Sequence, residues 1–513
     1  MKRLLTILLS AAPLFLFAQP IPQSKKVAEK FFPDFDIDMP TPAFDHRKGF
    51  TDHEEMMRFV NQQEKAHPGF ITHEFIGESQ KGKPVPMLTL TNPETGGDKI
   101  RVWMQGGLHG DEPASTEAML YLIHQLLETD SLRPLLDHVE LKIVPMANVD
   151  GCESLHRHAA NGLDLNRDQT KLQAPESIFL KKAFIAFNPE VALDFHEFRS
   201  YRRDFAKLGD WGVTTKFDVM FLYSGNLNVD KGLRELTKSQ FVDPAKSALD
   251  GYDLHHSDYF TSTRVHGEIQ FNRGATNPRS SATSYALTNC IASLIEVRGV
   301  ALGRTSYKRR VFTGYAIALS YLQSAVENVD EVRAAIEKAD ALENEMVVRA
   351  RRTRLGEEIP FIDLGKNEYI TLPSVVRDAW LSKPSLVRSK PEAYLILPGN
   401  EKAVENLRIY GLEVEELTAE EQQDVEAYEV VKYQQDPFKY EGVHLQKVET
   451  QVRPKTKTFP PGTHRVKTDQ KYGHMLAELL EPEASSGFVR FEVIKTELGS
   501  ELPVYRVVKT RNP

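Results

Sequence analysis

Between residues 85 and 297 short apolar runs alternate with helical patterns, and that alternation restricts the chain to an α/β architecture. The runs lie at 85–90, 100–105, 141–145, 191–195 and 291–297, with 115–127 as one of the helices between them. Strands apolar on both faces need cover on both faces, so the expectation is a sheet with helices on either side. A helical pattern rich in Ala, Glu and Arg, from Ala316 to about Arg352, closes the region. At 513 residues the chain exceeds what one ordinary core serves. Its texture changes past Leu355, where prolines interrupt short strand-like runs. The expected organisation is a lead-in over 19–50, an α/β domain over 51–354 and a smaller α+β domain over 355–513. In that last part 393–397, 403–410 and 412–416 read as strand, helix and strand, and 488–494 and 504–508 as further strands. No residue cluster there carries a chemical signature.

The first residues are Met1-Lys2-Arg3, followed by an apolar run to Ala18 and then Gln19. That pattern predicts a signal peptide over 1–18, because the run is short against the roughly 20 residues a membrane span needs. The mature protein is therefore expected to be secreted or periplasmic, with no stable membrane insertion. A formal net charge of −8 without a basic cluster argues against a nucleic-acid partner. Two cysteines, Cys152 and Cys290, are too few for a disulfide scaffold and leave one bridge or two buried thiols open. Composition is that of an ordered globular protein, 41% hydrophobic and 27% charged.

The chemistry gathers around Gly106-Gly107-Leu108-His109-Gly110-Asp111-Glu112, a turn that follows a strand and precedes a helix. An imidazole and a carboxylate three residues apart can grip one cation. A third ligand from a distant strand would complete a catalytic zinc site with one position open. His196, at the end of the apolar run in Leu193-Asp194-Phe195-His196-Glu197, suits that role. Alone, His-x-x-Glu is a common surface pair. Between the two halves, however, lies His156 to Asp168, with Arg157, Asn161, Asn166 and Arg167. Two arginines and two asparagines so close together suit recognition of a carboxylate or oxyanion, which a guanidinium binds bidentately. Glu296 interrupts an apolar strand, and a buried carboxylate there is either paired with Arg298 or serves as a base facing activated water.

Taken in order, GGLHGDE, NVDG from Asn148, Arg157 with Asn166-Arg167, DFHEF and IEVRG resemble the zinc metallocarboxypeptidase family, carboxypeptidase A-like, over about residues 50–320. The resemblance implies a three-layer α/β/α sandwich around a mixed, mostly eight-stranded sheet. It implies one zinc ion held by His109, Glu112 and His196, with Arg157 stabilising the oxyanion, Asn166 and Arg167 holding the substrate's terminal carboxylate, and Glu296 as general base. The implied partner is a peptide with a free C-terminal carboxylate. The chain departs from the family in two places. Val149 stands where the second motif usually has proline. The mobile tyrosine that usually closes over substrate has no clear counterpart, since position 274 is Gly and the closest candidate is Tyr285. Residues 274–284 correspond to the family's side-chain pocket, where Arg279 either favours an acidic substrate side chain or is a surface residue.

Three other readings use the same residues: a peptidoglycan stem-peptide amidase, an amidohydrolase like aspartoacylase or succinylglutamate desuccinylase, and a zinc-binding protein without activity. Serine-hydrolase, phosphate-loop and H-E-x-x-H chemistries lack their motifs. Oligomeric state is left open.

Overall fold

The computed structural model describes residues 24–341 and 345–508; the predicted signal peptide lies outside them. A mixed eight-stranded sheet forms its centre. In chain order its strands are β1 (Ile71–Glu78), β2 (Pro84–Leu90), β3 (Ile100–Gln105), β4 (Val139–Val144), β5 (Val191–Phe198), β6 (Val219–Tyr223), β7 (His256–Asp258) and β8 (Ile291–Arg298). Across the sheet they run β1-β2-β4-β3-β5-β8-β6-β7. The middle four, β4, β3, β5 and β8, are mutually parallel, while β2 and β6 run antiparallel to them. All eight residues of β5 are buried, as a central strand covered on both faces requires.

Alternation along β5 directs Phe195 and Glu197 to one face and Asp194 and His196 to the other. On the first face the helices Pro113–Glu128 and Tyr307–Glu327 cross so closely that a Cβ on Gly314 would lie 2.8 Å from Ala118 Cβ. On the second, Phe184 of the helix Pro175–Phe187 meets Trp103 edge-on and stacks on Tyr285 of the helix Ser281–Ala286 at 4.1 Å. Burying rings of this size contributes about 2–3 kcal/mol each. This is the three-layer α/β/α sandwich with an eight-stranded mixed sheet that the motif order implied. The lead-in packs against it, with Glu117 accepting hydrogen bonds from Ala43 N and Thr51 Oγ1.

Beyond residue 316 the structure corrects the sequence reading. The long helical pattern is two helices, Tyr307–Glu327 and Val329–Asp340, and its end is already strand. Position 355 falls inside the strand Met346–Asp363, so it marks no boundary. That strand pairs with Glu368–Arg388, and the hairpin joins Val213–Thr215, Glu268–Arg273 and Phe260–Val265 in a second sheet of five strands. Proline-containing edge-like strands read as broken runs, but here two such strands pair along most of their length, with register breaks that leave 379–382 unmatched. Residues 393–508 then form a six-stranded sheet with the helix Glu401–Ile409. Residues 488–494 are turns rather than a strand. This smaller α+β part has a small cluster of its own around Leu395, Val425, Phe459 and Tyr505, but Tyr394, Leu407, Tyr410 and Leu476 belong to the same hydrophobic cluster as Trp103 and Phe184. Cys152 and Cys290 are free thiols, their titration pushed up to about 12 by burial. None of the helices among the described residues is long and apolar enough to cross a membrane.

Candidate metal centre

The centre forms where β3, β5 and β8 end, the edge at which open α/β sheets bind ligands. After β3 the chain turns through Gly107, at φ 63°, and Gly110, where a Cβ would come within 1.9 Å of the Gly151 backbone. Only glycine permits that approach. The turn delivers His109 and ends on Glu112, which caps the helix that starts at Pro113. His196 arrives from β5, and the three side chains place ligand atoms all within 4.8 Å of one another.

Tautomers are fixed from behind. His109 Nε2 lies 2.9 Å from Asp164 Oδ1, and His196 Nε2 lies 2.8 Å from Asp194 Oδ2. Each ring therefore carries its proton toward a carboxylate and turns the Nδ1 lone pair inward. The two Nδ1 atoms are 3.0 Å apart, and Glu112 offers Oε1 to His109 at 2.9 Å and Oε2 to His196 at 2.8 Å. Two nitrogens on a tetrahedral zinc with bonds of about 2.0 Å sit about 3.3 Å apart. The donor set and its spacing thus fit zinc. Burial alone would raise Glu112, but the two imidazoles outweigh it and hold the carboxyl far below its usual range. Burial would likewise lower His196, yet Asp194 and Glu112 raise it well above normal. A cation among these groups competes for the place a proton otherwise takes.

Glu112 is further fixed by the backbone N–H of Glu197 at 3.0 Å and by Arg157 at 3.1 Å. Arg157 also reaches Asp164, through Nε at 3.1 Å and its terminal nitrogen at 3.0 Å. Glu296 stands beside His196 in the β5–β8 register. Burial, then the charge of Glu112, raises its carboxyl. Arg298 is not its counterion: it donates to Thr215 O and Thr214 Oγ1 and lies over the Phe32 ring at 3.9 Å. Asn166 is buried, its side-chain oxygen accepting from Ser281 N at 2.8 Å, which leaves its NH₂ as the group able to donate to a ligand. Arg167 is half-buried beside it. All seven residues singled out in the sequence come together here. Tyr285 does not: its hydroxyl donates to Gln105 at 2.9 Å inside the core.

Several residues around the site escaped the sequence reading. Asp164 and Asp194 were within reach of it, since Asp194 precedes His196 by two residues on one strand face and Asp164 precedes Asn166 by two. Arg310, paired with Glu197 at 2.6 Å, had no local signal. Nor had Tyr259, whose phenol is raised by burial and by the charge of Glu296 and lowered by Arg202 and Arg167.

A zinc carboxypeptidase family model matches residues 56–182. Carboxypeptidase 2 of Trichophyton rubrum is 29% identical over 476 residues, which span 90% of this chain and 88% of that protein. Carboxypeptidase 2 of Trichophyton equinum is 28% identical over 480 residues, spanning 91% and 89%. Among solved structures, a metallo-carboxypeptidase from Burkholderia cenocepacia is similar at 18% identity and a TM-score of 0.42, covering 55% of this chain and 70% of that one. With its ligand set, motif order and relatives in agreement, the chain carries a zinc carboxypeptidase domain over residues 56–182 and is similar to carboxypeptidases over most of its length.

Proposed function

We propose that the protein is a secreted carboxypeptidase that removes the C-terminal residue of peptides, with one zinc ion on His109, Glu112 and His196 and with Glu296 as general base. The observation that carries this reading is the β5–β8 register, which sets Glu296 directly beside His196 with Arg157 facing the same cluster. Zinc in that donor set supplies Lewis-acid chemistry, polarising a carbonyl and lowering the pKa of water. Glu296 accepts a proton from the attacking water and passes it to the leaving nitrogen. Arg157 offsets the negative charge that develops on the carbonyl oxygen. Asn166 and Arg167 hold the free carboxylate of the substrate, which confines attack to the last peptide bond.

The relatives named carboxypeptidase match this chain over most of its length and support the activity. The leader at 1–18 supports secretion. One purified preparation assayed on a peptide with a free C-terminus, on the same peptide amidated, on a peptidoglycan stem peptide and on an N-acyl amino acid tests the reading. The free-acid peptide should be hydrolysed fastest, and a chelator should abolish that activity. Equal rates on the acid and the amide, or activity that survives the chelator, would overturn it.

A further inference from the structure

The two longest strands of the C-terminal sheet, Glu421–Tyr440 and Val443–Phe459, form a hairpin whose turn reaches back to the catalytic region. Tyr440 pairs with Val443, so Glu441 and Gly442 alone make the connection, and both are left-handed, at φ 49° and 83°. Turns of this kind favour Asn-Gly or Gly-Gly, because a larger side chain is strained at positive φ. Glu441 is the wrong residue for the turn by itself. Its side chain has a partner elsewhere: Oε2 accepts a hydrogen bond from the backbone N–H of Asp164 at 3.1 Å. Beside it the Tyr440 hydroxyl accepts from Arg279 at 2.7 Å, and the same guanidinium lies over the Tyr440 ring at 5.2 Å.

These contacts seat the turn on the two segments that frame Asn166 and Arg167. A Cβ at Gly442 would lie 3.4 Å from Leu163 and 3.5 Å from Gln173, so the tip rests against 163–173. The C-terminal part grips that segment again through Asn406, whose amide donates to Lys171 O at 2.9 Å. The second segment is tied to the first by Gln169 N to Arg279 O at 3.3 Å and Ser281 N to Asn166 Oδ1 at 2.8 Å. A strained residue that persists where its side chain holds a site segment points to a role in the site.

We propose that Glu441 and Tyr440 are positioning residues for substrate-carboxylate recognition, so that the C-terminal hairpin is part of the catalytic unit. The inference rests on the reading of Asn166 and Arg167 as the carboxylate-binding pair. The test uses full-length, zinc-loaded protein and a peptide with a free carboxylate beside its amide. Glu441→Asn creates the turn's preferred Asn-Gly but is too short to hold Asp164. It should be at least as stable as the parent in urea, yet raise KM for the free acid by about tenfold with kcat nearly unchanged. Glu441→Gln keeps the acceptor oxygen and should stay within about twofold of the parent KM. Tyr440→Phe keeps the ring over Arg279, loses the acceptor, and should raise KM in the same direction. A parent-like KM in Glu441→Asn, or a KM in Glu441→Gln as high as in Glu441→Asn, would overturn the proposal. Arg167→Ala separates the two layers. If it leaves the preference for acid over amide intact, the carboxylate-binding reading fails. If it erases that preference while Glu441→Asn is silent, the positioning role alone fails.

Discussion

Asp194 and His196 stand two residues apart on one face of β5, and the carboxylate of the first accepts the Nε2 proton of the second at 2.8 Å. Asp164 does the same for His109 at 2.9 Å, although 55 residues separate them. Both rings are thereby turned so that Nδ1 faces Glu112. The two histidines of the ligand set are oriented by carboxylates on their far sides, and the strand period supplies one of these.

Replacing Asp194 by Asn removes the charge that fixes the His196 tautomer. Zinc affinity should fall by about 10–100-fold, the usual effect of losing such a partner. A chelator titration of zinc content reads this directly. A curve that overlays the parent's would show that Asp194 does not orient the ligand.

Glu296→Gln should lower kcat by roughly 10²–10⁴ with zinc content and KM held, because the amide cannot carry the proton. Thermal stability should hold or rise, since a carboxyl that burial disfavours is replaced by a neutral group. Steady-state kinetics with metal analysis on the same sample checks both. Near-parental turnover at full zinc content would remove Glu296 from the chemistry.

Arg310→Met leaves Glu197 buried without its counterion; the two side chains are 3% and 0% exposed. Breaking a buried pair from one side costs about 3–5 kcal/mol. Burial already pushes the Glu197 carboxyl up to about 7, with Arg310 opposing. The double variant Arg310→Met/Glu197→Gln should recover part of the loss in urea unfolding. No recovery would mean the arginine acts through its packing.

Lys181 is buried, donates to Ser284 Oγ at 2.7 Å, and lies over the Tyr285 and Tyr410 rings at 4.9 and 5.2 Å. Burial lowers its pKa from 10.5 to about 7. Between those values the unfolded chain binds the proton and the folded one does not, so this group makes stability rise with pH from about 7 toward 10. The full rise is on the order of 5 kcal/mol. Urea unfolding of parent and Lys181→Met across that range should diverge, the variant lacking the rise. Parallel curves would place the charged lysine in the fold.

A chain ended after Arg388 should not fold cooperatively. Tyr394, Leu407, Tyr410 and Leu476 would be lost from the cluster that also holds Trp103 and Phe184, and each large side chain withdrawn removes about 2–5 kcal/mol. A soluble monomer with a sharp melting transition would show an independent catalytic domain instead.

The alternation of apolar runs and helices was enough to predict the layered sheet, and glycines around His109 were enough to mark the turn. Both depend on local rules of period and sterics, which a sequence carries on its face. The C-terminal half was harder to read. The strand Met346–Asp363 follows a helix without a break in character and contains Pro360, so the local signal pointed to an ended domain rather than a long hairpin. Its stability comes from partners far along the chain, and local propensity yields to such pairing.

By itself the sequence offered His109, Glu112 and His196 as donors and the polar run carrying Arg157, Asn166 and Arg167 beside them, through residue type together with the motif order that resembles the family. Only the tertiary structure decided how they face one another. The register of β5 with β8 sets Glu296 beside His196, the fold brings Arg310 to Glu197, and the hairpin tip puts Glu441 on Asp164 across 277 residues. Contacts at that separation depend on which strands pair and in what register, and the packing of the whole core sets those quantities.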